Sequence, residues 1–254
     1  MPRYWMITNR NIGGVGDTLG KRLAGRSHWV TDESDVTRLD NWKRVTPTQF
    51  WTLLVAAADE FPVINDPHEQ ENQKHVTVFV HGYNNTWADA ASRYRSICDR
   101  LYSGPDSLGL CLFFTWPSQG SPEAYLPDRA DAQMSALDLG DVLSQIYDWM
   151  LRKQTDAAAD PARGCRAKLT VIAHSMGNYV LQKAMQLVWT RKNRPRLVSL
   201  VNQLLMVAAD VDNDLFRSGE KVDDRDGDAI VNLCYRVTAL YTGLDPVLGA
   251  SAGL

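Results

Sequence analysis

Ala173-His174-Ser175-Met176-Gly177 places a serine between two small residues, each two positions away. A hydroxyl becomes a useful nucleophile only where a base takes its proton and fixed donors receive the negative charge that attack on a carbonyl creates. A sharp turn from strand to helix supplies part of that setting, lifting the serine above the sheet edge at the positive end of the following helix. Such a turn brings neighbouring backbone close to the serine, so the flanking positions must be small, as Ala173 and Gly177 are. The plain alternative is a serine that caps the helix.

Charge developing on a substrate oxygen needs two donors. The amide of Met176, directly after the serine, is one; the other normally comes from a loop after an earlier strand. Val76-Thr77-Val78-Phe79-Val80 runs into His81-Gly82-Tyr83-Asn84-Asn85, a loop of that kind, and Gly82 allows the bend that brings the Tyr83 amide beside that of Met176. His81 reads as a residue that fixes the loop by hydrogen bonds, next to bound substrate with Gly82. Trp87 and Trp116 each follow a strand and are candidates for an acyl pocket, and Tyr125, Leu126, Asp128 and Arg129 fall in a segment that could form a lid.

An acid must orient the base. Asp245 follows the last apolar run through Gly243-Leu244, in the chain order after the serine that hydrolases use, and Asp210, after the preceding run, is the competitor. Either aspartate also suits an ordinary cap or turn, Asp245 being followed by Pro246. The base is the gap: His28, His68, His75, His81 and His174 all precede Ser175, and the sequence ends at Leu254 without another. Three arrangements stay open. The chain is a fragment that stops at Gly249-Ala250-Ser251-Ala252-Gly253-Leu254, before a last strand and helix; or an N-terminal histidine such as His28 folds over the site; or the protein is a catalytically silent binding relative. His174 is set aside, because adjacent side chains at such a turn point apart.

The elements that position these residues follow from periodicity. Apolar runs at 76–80, 110–116, 168–173, 204–208 and 233–240 read as strands, and helical spacing at 86–101, 128–151 and 178–189 reads as crossovers. Continuous apolar strands separated by helices describe a mostly parallel, doubly wound α/β sheet, whose site lies at the carboxyl ends of its strands. Residues 1–75 read as an extension packed on the sheet, with strands at 4–8 and 28–31 and a helix at 48–61. Residues 76–254 read as the core of one compact domain.

Composition excludes much else. The 254 residues are 44% hydrophobic and 22% charged, with 27 basic against 30 acidic side chains and no basic stripe, which argues against nucleic acid as a partner. No run is apolar for the length of a membrane span, and no signal peptide opens the chain, so a cytoplasmic protein is expected. The four cysteines lie far apart and read as free thiols. Gly13-Gly14-Val15-Gly16 reads as a turn, since it lacks the Gly-Lys-Ser/Thr ending of a phosphate loop. Asp223-Asp224-Arg225-Asp226-Gly227-Asp228 reads as a solvated loop, since Ala229 and Tyr235 stand where a calcium loop needs Gly and Glu. No metal or cofactor is expected.

Four stretches stand in order: Phe79-Val80-His81-Gly82-Tyr83-Asn84-Asn85, Phe114-Thr115-Trp116-Pro117-Ser118, Ala173-His174-Ser175-Met176-Gly177-Asn178 and Ala208-Ala209-Asp210-Val211-Asp212. On them, residues 75 to 250 resemble a family of α/β-hydrolases catalogued as a domain of unknown function. The resemblance implies the α/β-hydrolase fold and serine hydrolysis, with Ser175 in the nucleophile position and Asp245 or Asp210 in the acid position. It is nearly silent on substrate. The resulting expectation is a serine esterase acting on a small-molecule carboxylic ester.

Overall fold

The computed structural model describes residues 1–13, 18–64, 67–160, 163–191, 200–212, 214–216 and 227–242. The strands are β1 (Tyr4–Ile12), β2 (Leu19–Thr31), β3 (Lys43–Val45), β4 (Lys74–Val80), β5 (Gly109–Thr115), β6 (Ala167–His174), β7 (Val201–Val207) and β8 (Cys234–Leu240). The helices are α1 (Pro47–Asp59), α2 (Trp87–Leu101), α3 (Tyr125–Ala159), α4 (Gly177–Arg191) and α5 (Asp228–Leu233). The eight strands form one sheet in the order β3-β2-β1-β5-β4-β6-β7-β8. From β1 to β8 along that order every pair is parallel, and only β2 and β3 run antiparallel to their neighbours.

Register does the positioning. Val80 lies opposite Phe114 on one side and Ala173 on the other, and Ala173 lies opposite Met206, so the loops after β4, β5, β6 and β7 leave the sheet at one level. The apolar runs of β4 and β5 are continuous because both faces are covered there: Val76 to Val80 and Cys111 to Thr115 are all buried. In β6, Leu169, Val171 and Ala173 bury beneath the main core, while Lys168 is exposed on the opposite face. Turn chemistry fixes the helix starts. Thr46 with Gln49 and Thr86 with Asp89 form reciprocal capping boxes at α1 and α2, and Pro47 opens α1.

The N-terminal strands are longer than periodicity suggests. β1 and β2 extend as a hairpin to Ile12 and Leu19, with register shifts between Thr8 and Arg10 and between Arg10 and Ile12. Those arms are polar and partly exposed, so apolar alternation does not mark them. The three residues of β3 and the six of α5 are too short to carry a period. Gly14 to Gly16 and Asp223 to Asp226 lie outside the described residues.

Tyr94 joins α2 to the sheet. Its buried hydroxyl accepts from the Trp5 amide at 3.0 Å and donates to the Cys111 carbonyl at 2.7 Å. Tyr94→Phe leaves both backbone groups without that partner, so a loss of about 1–3 kcal/mol is expected, read as a lower urea midpoint at unchanged slope. An unchanged midpoint would show that the hydroxyl contributes nothing to the docking of α2.

Candidate active site

Ser175 follows β6 directly, two residues before the start of α4. Its φ is 52°, in the left-handed region, whereas a helix-capping residue is normally extended. Among the described residues its hydroxyl makes no hydrogen bond to protein, so the capping alternative finds no support. Two other residues at this edge, Asn84 and Ala208, also have left-handed φ, at 54° and 44°. Such conformations cost about 1–3 kcal/mol each for residues other than glycine and cluster at functional sites.

Backbone contacts hold the turn. The Ser175 amide donates to the Val207 carbonyl at 2.9 Å, and the Ser175 carbonyl accepts from the amides of Asn178 at 2.9 Å and Asp210 at 3.3 Å. The buried Asn178 amide donates from Nδ2 to the carbonyls of Ala173 and Ser175, both at 3.0 Å. Gly177 is glycine for want of space: a Cβ there would stand 2.6 Å from the carbonyl oxygens of both Val80 and His81.

The loop after β4 lies against the serine. A Cβ on Gly82 would stand 2.7 Å from the Ser175 Cβ and 2.9 Å from His174 Nδ1. The Gly82 carbonyl points away, accepting from His81 Nδ1 at 2.8 Å and Asn85 Nδ2 at 3.0 Å, and the Tyr83 carbonyl accepts from Asn85 Nδ2 at 2.6 Å. In a trans peptide the N–H points opposite to the C=O, so the Tyr83 amide faces the other way from that acceptor network. Among the described residues neither the Tyr83 nor the Met176 amide has a protein acceptor.

His81 is fully buried, and its ring stacks on Trp116 at 5.2 Å with 2° between planes. Trp116 donates its indole N–H to the His81 carbonyl at 2.9 Å and its amide to His81 Nε2 at 3.2 Å, which makes Nδ1 the protonated nitrogen. Burial first, and Arg10 second, hold the imidazole well below its ordinary pKa, so it stays neutral. Asp210 is buried beside the turn and accepts from the Tyr125 hydroxyl at 3.1 Å; Tyr125 accepts from Arg129 at 3.3 Å, and Arg129 lies over the Tyr179 ring at 4.1 Å.

The site calls divide accordingly. Ser175, Met176, Gly82, Tyr83 and Asp210 come together at one sheet edge, and Asp245 lies outside the described residues. His28 does not reach them: it lies on β2 opposite Ile7 of β1, four strands from β6, or about 19 Å at ~4.8 Å per strand. The reading of His28 as a base folded over the serine is corrected by that distance. Trp87 is not at the site either; it packs against Trp42 in the core under α2. Trp116 is wholly buried as a brace for His81 rather than a pocket wall, and His81 is likewise enclosed behind Gly82. Residues 125–129 are the first turns of α3, with Asp128 buried and the Tyr125 ring edge-on to Tyr83 at 5.5 Å. Sequence reasoning missed Arg10, Asn85, Thr115 and Ser118 as parts of this edge. A usable signal existed in the polar endings of apolar strands, Thr8-Asn9-Arg10 on β1 and Thr115 on β5.

Three histidines are held neutral by burial: His28, pushed down to about 4, with Arg26 contributing; His75, with Lys168 contributing; and His81. The unfolded chain takes these protons below about pH 6.5 while the folded chain resists them, so stability is greatest above that pH and falls as pH drops toward 4. The urea midpoint should therefore decline across this window, and less steeply in His28→Phe. A variant with the wild-type slope would refute the part assigned to His28.

A strand-turn-helix serine at the carboxyl edge of a mostly parallel, helix-covered sheet is the architecture of an alpha/beta hydrolase. A family profile described as alpha/beta hydrolase of unknown function (DUF900) matches residues 57–254, and the chain belongs to that family. It is also similar to the uncharacterized protein alr1448 of Nostoc sp. (strain PCC 7120 / SAG 25.82 / UTEX 2576), at 25% identity over 203 residues, covering 70% of this chain and 49% of that protein. The chain thus spans about half the length of that curated relative. No solved structure matches it. Among the described residues, no helix is long and apolar enough to cross a membrane.

Proposed function

We propose that this chain carries the nucleophile and oxyanion donors of a serine esterase acting on small carboxylic esters. The observation that carries the reading is the contact between Gly82 and a left-handed, unpartnered Ser175. Ser175 Oγ attacks the ester carbonyl, giving its proton to a base, while the amides of Met176 and Tyr83 receive the charge on the carbonyl oxygen. Collapse expels the alcohol, which takes a proton from that base, and water then releases the acid from the acyl-serine. Asp245, in chain order after the serine, is the acid that orients the base, with Asp210, which accepts from Tyr125, as the alternative. The base is a histidine not identified among the five: both nitrogens of His81 are used, His28 lies on β2, His68 and His75 lie before and at the start of β4, away from the carboxyl edge, and the His174 ring packs against Gly82.

That last observation favours a second reading, a binding module on the same scaffold that performs no turnover. Incubation with a fluorophosphonate in imidazole buffer, the imidazole serving as external base, separates the two. The esterase reading expects a single adduct that peptide mapping places on Ser175. An intact protein without an adduct there would leave the binding module.

A further inference from the structure

Two buried charges bonded to the 81–85 loop have no role in the chemistry above. Arg10, near the end of β1, is 1% exposed, yet among the described residues no carboxylate lies within ion-pair distance of it. Asp128, in the first turn of α3, is 0% exposed and likewise lacks a cation at that distance. Burying an isolated charge costs several kcal/mol unless hydrogen bonds satisfy it. Both are satisfied, and largely by this loop and the segment beside it.

The cation grips carbonyls and the anion grips donors. Arg10 Nη2 donates to the Asn85 carbonyl at 3.2 Å, Nη1 to the Gly20 carbonyl at 3.2 Å, and Nε to Thr115 Oγ1 at 3.0 Å. Asp128 accepts from the Asn84 amide at 3.3 Å, the Gln119 amide at 2.8 Å and the Ser118 hydroxyl at 2.6 Å; Ser118 Oγ in turn accepts from the Asn85 amide at 3.1 Å. Between them they hold Asn84 in its left-handed conformation and fix Asn85, whose side chain pins the Gly82 and Tyr83 carbonyls. Arg10 reaches His81 as well. With the guanidinium donating to Thr115 Oγ1, the threonine proton is directed to His81 Nε2 at 3.1 Å beside the Trp116 amide, and both donors leave the proton of Nδ1 for the Gly82 carbonyl.

We propose that Arg10 and Asp128 are positioning residues, a clamp of opposite charges that turns the Gly82 carbonyl inward and so aims the Tyr83 amide at the substrate oxygen held over Ser175. The inference rests on the reading of Ser175 as nucleophile. A clamp is distinguishable from mere cohesion, because lost cohesion lowers the folded fraction, whereas a displaced donor slows labelling in the molecules that stay folded. Displacing one oxyanion donor lowers reactivity by about 10²- to 10³-fold.

The experiment measures the second-order rate of fluorophosphonate labelling at Ser175, in imidazole buffer, for Arg10→Met, Asp128→Asn and the double variant, with the folded fraction read by circular dichroism. Each single variant is expected to label about 100-fold more slowly per folded molecule, and the double variant no more slowly than the slower single one, since both act on one loop. Thr115→Val, which keeps the shape and both charges but removes the acceptor of Arg10 Nε, should slow labelling by loosening Arg10 while the Trp116 amide still holds the His81 tautomer, and it serves where a charge variant does not fold. Folded variants that label within about threefold of wild type, or losses that multiply in the double variant, would overturn the clamp while leaving Ser175 as nucleophile. A wild-type protein without label at Ser175 would overturn both readings.

Discussion

Ser175→Ala should abolish fluorophosphonate labelling and lower imidazole-assisted ester hydrolysis by at least about 10³-fold, the scale on which removal of a covalent nucleophile acts. Stability should hardly change. Among the described residues the Ser175 hydroxyl has no hydrogen bond to lose, and alanine already occupies a left-handed position in this chain at Ala208, with φ 44°. Ser175→Gly is the complementary variant. It removes the same hydroxyl and also relieves the φ of 52°, so the urea midpoint should rise by an amount equivalent to about 1 kcal/mol. Loss of turnover with a gain in stability is what a strained nucleophile turn requires. An alanine variant that hydrolyses ester at the wild-type rate would remove Ser175 from the mechanism, and a glycine variant that melts earlier would show that the turn stores no strain.

The sequence makes this turn legible because its steric demands are severe. Gly177 packs against two backbone carbonyls and Gly82 against the serine itself, so small residues are forced at both places, and forced residues leave readable patterns. The strands β4 and β5 are readable for a similar reason, since burial on both faces leaves only apolar choices. Less is legible where contacts are long in sequence. Arg10 holds Asn85, which lies 75 positions away, and Asn84 is held by Asp128, 44 positions away; neither spacing marks a motif. Trp87 and Trp116 show the converse limit. Both follow strands, but only the packing of α2 and the stacking on His81 decide that each is enclosed. His28 is the clearest case: distance across a sheet depends on strand order, and the antiparallel hairpin places β2 far from β6.

Gly82→Ala carries the second large effect. The added methyl would lie 2.7 Å from the Ser175 Cβ, 2.9 Å from His174 Nδ1 and 3.0 Å from the His174 carbonyl; rotating the imidazole would relieve the second contact but not the first or the third. Either the loop retreats or the turn at Ser175 shifts. Asn178 and three backbone hydrogen bonds hold Ser175, so the loop is the part that yields, carrying the Tyr83 amide away from the Met176 amide. A displacement near an ångström at a reacting centre costs about 10²-fold, and labelling at Ser175 should slow by that factor or more while stability falls by about 1–3 kcal/mol. Gly177→Ala meets the Val80 and His81 carbonyls at 2.6 Å instead, at the junction of β4 and α4. It should cost more stability for the same added volume, because backbone from two elements must part before any donor moves. The pair therefore tests the geometry from two sides: reactivity is lost first at Gly82 and cohesion first at Gly177. A Gly82→Ala protein that labels at the wild-type rate with an unchanged urea midpoint would mean that the loop does not press on the serine, and the Tyr83 amide would no longer have a place in the mechanism.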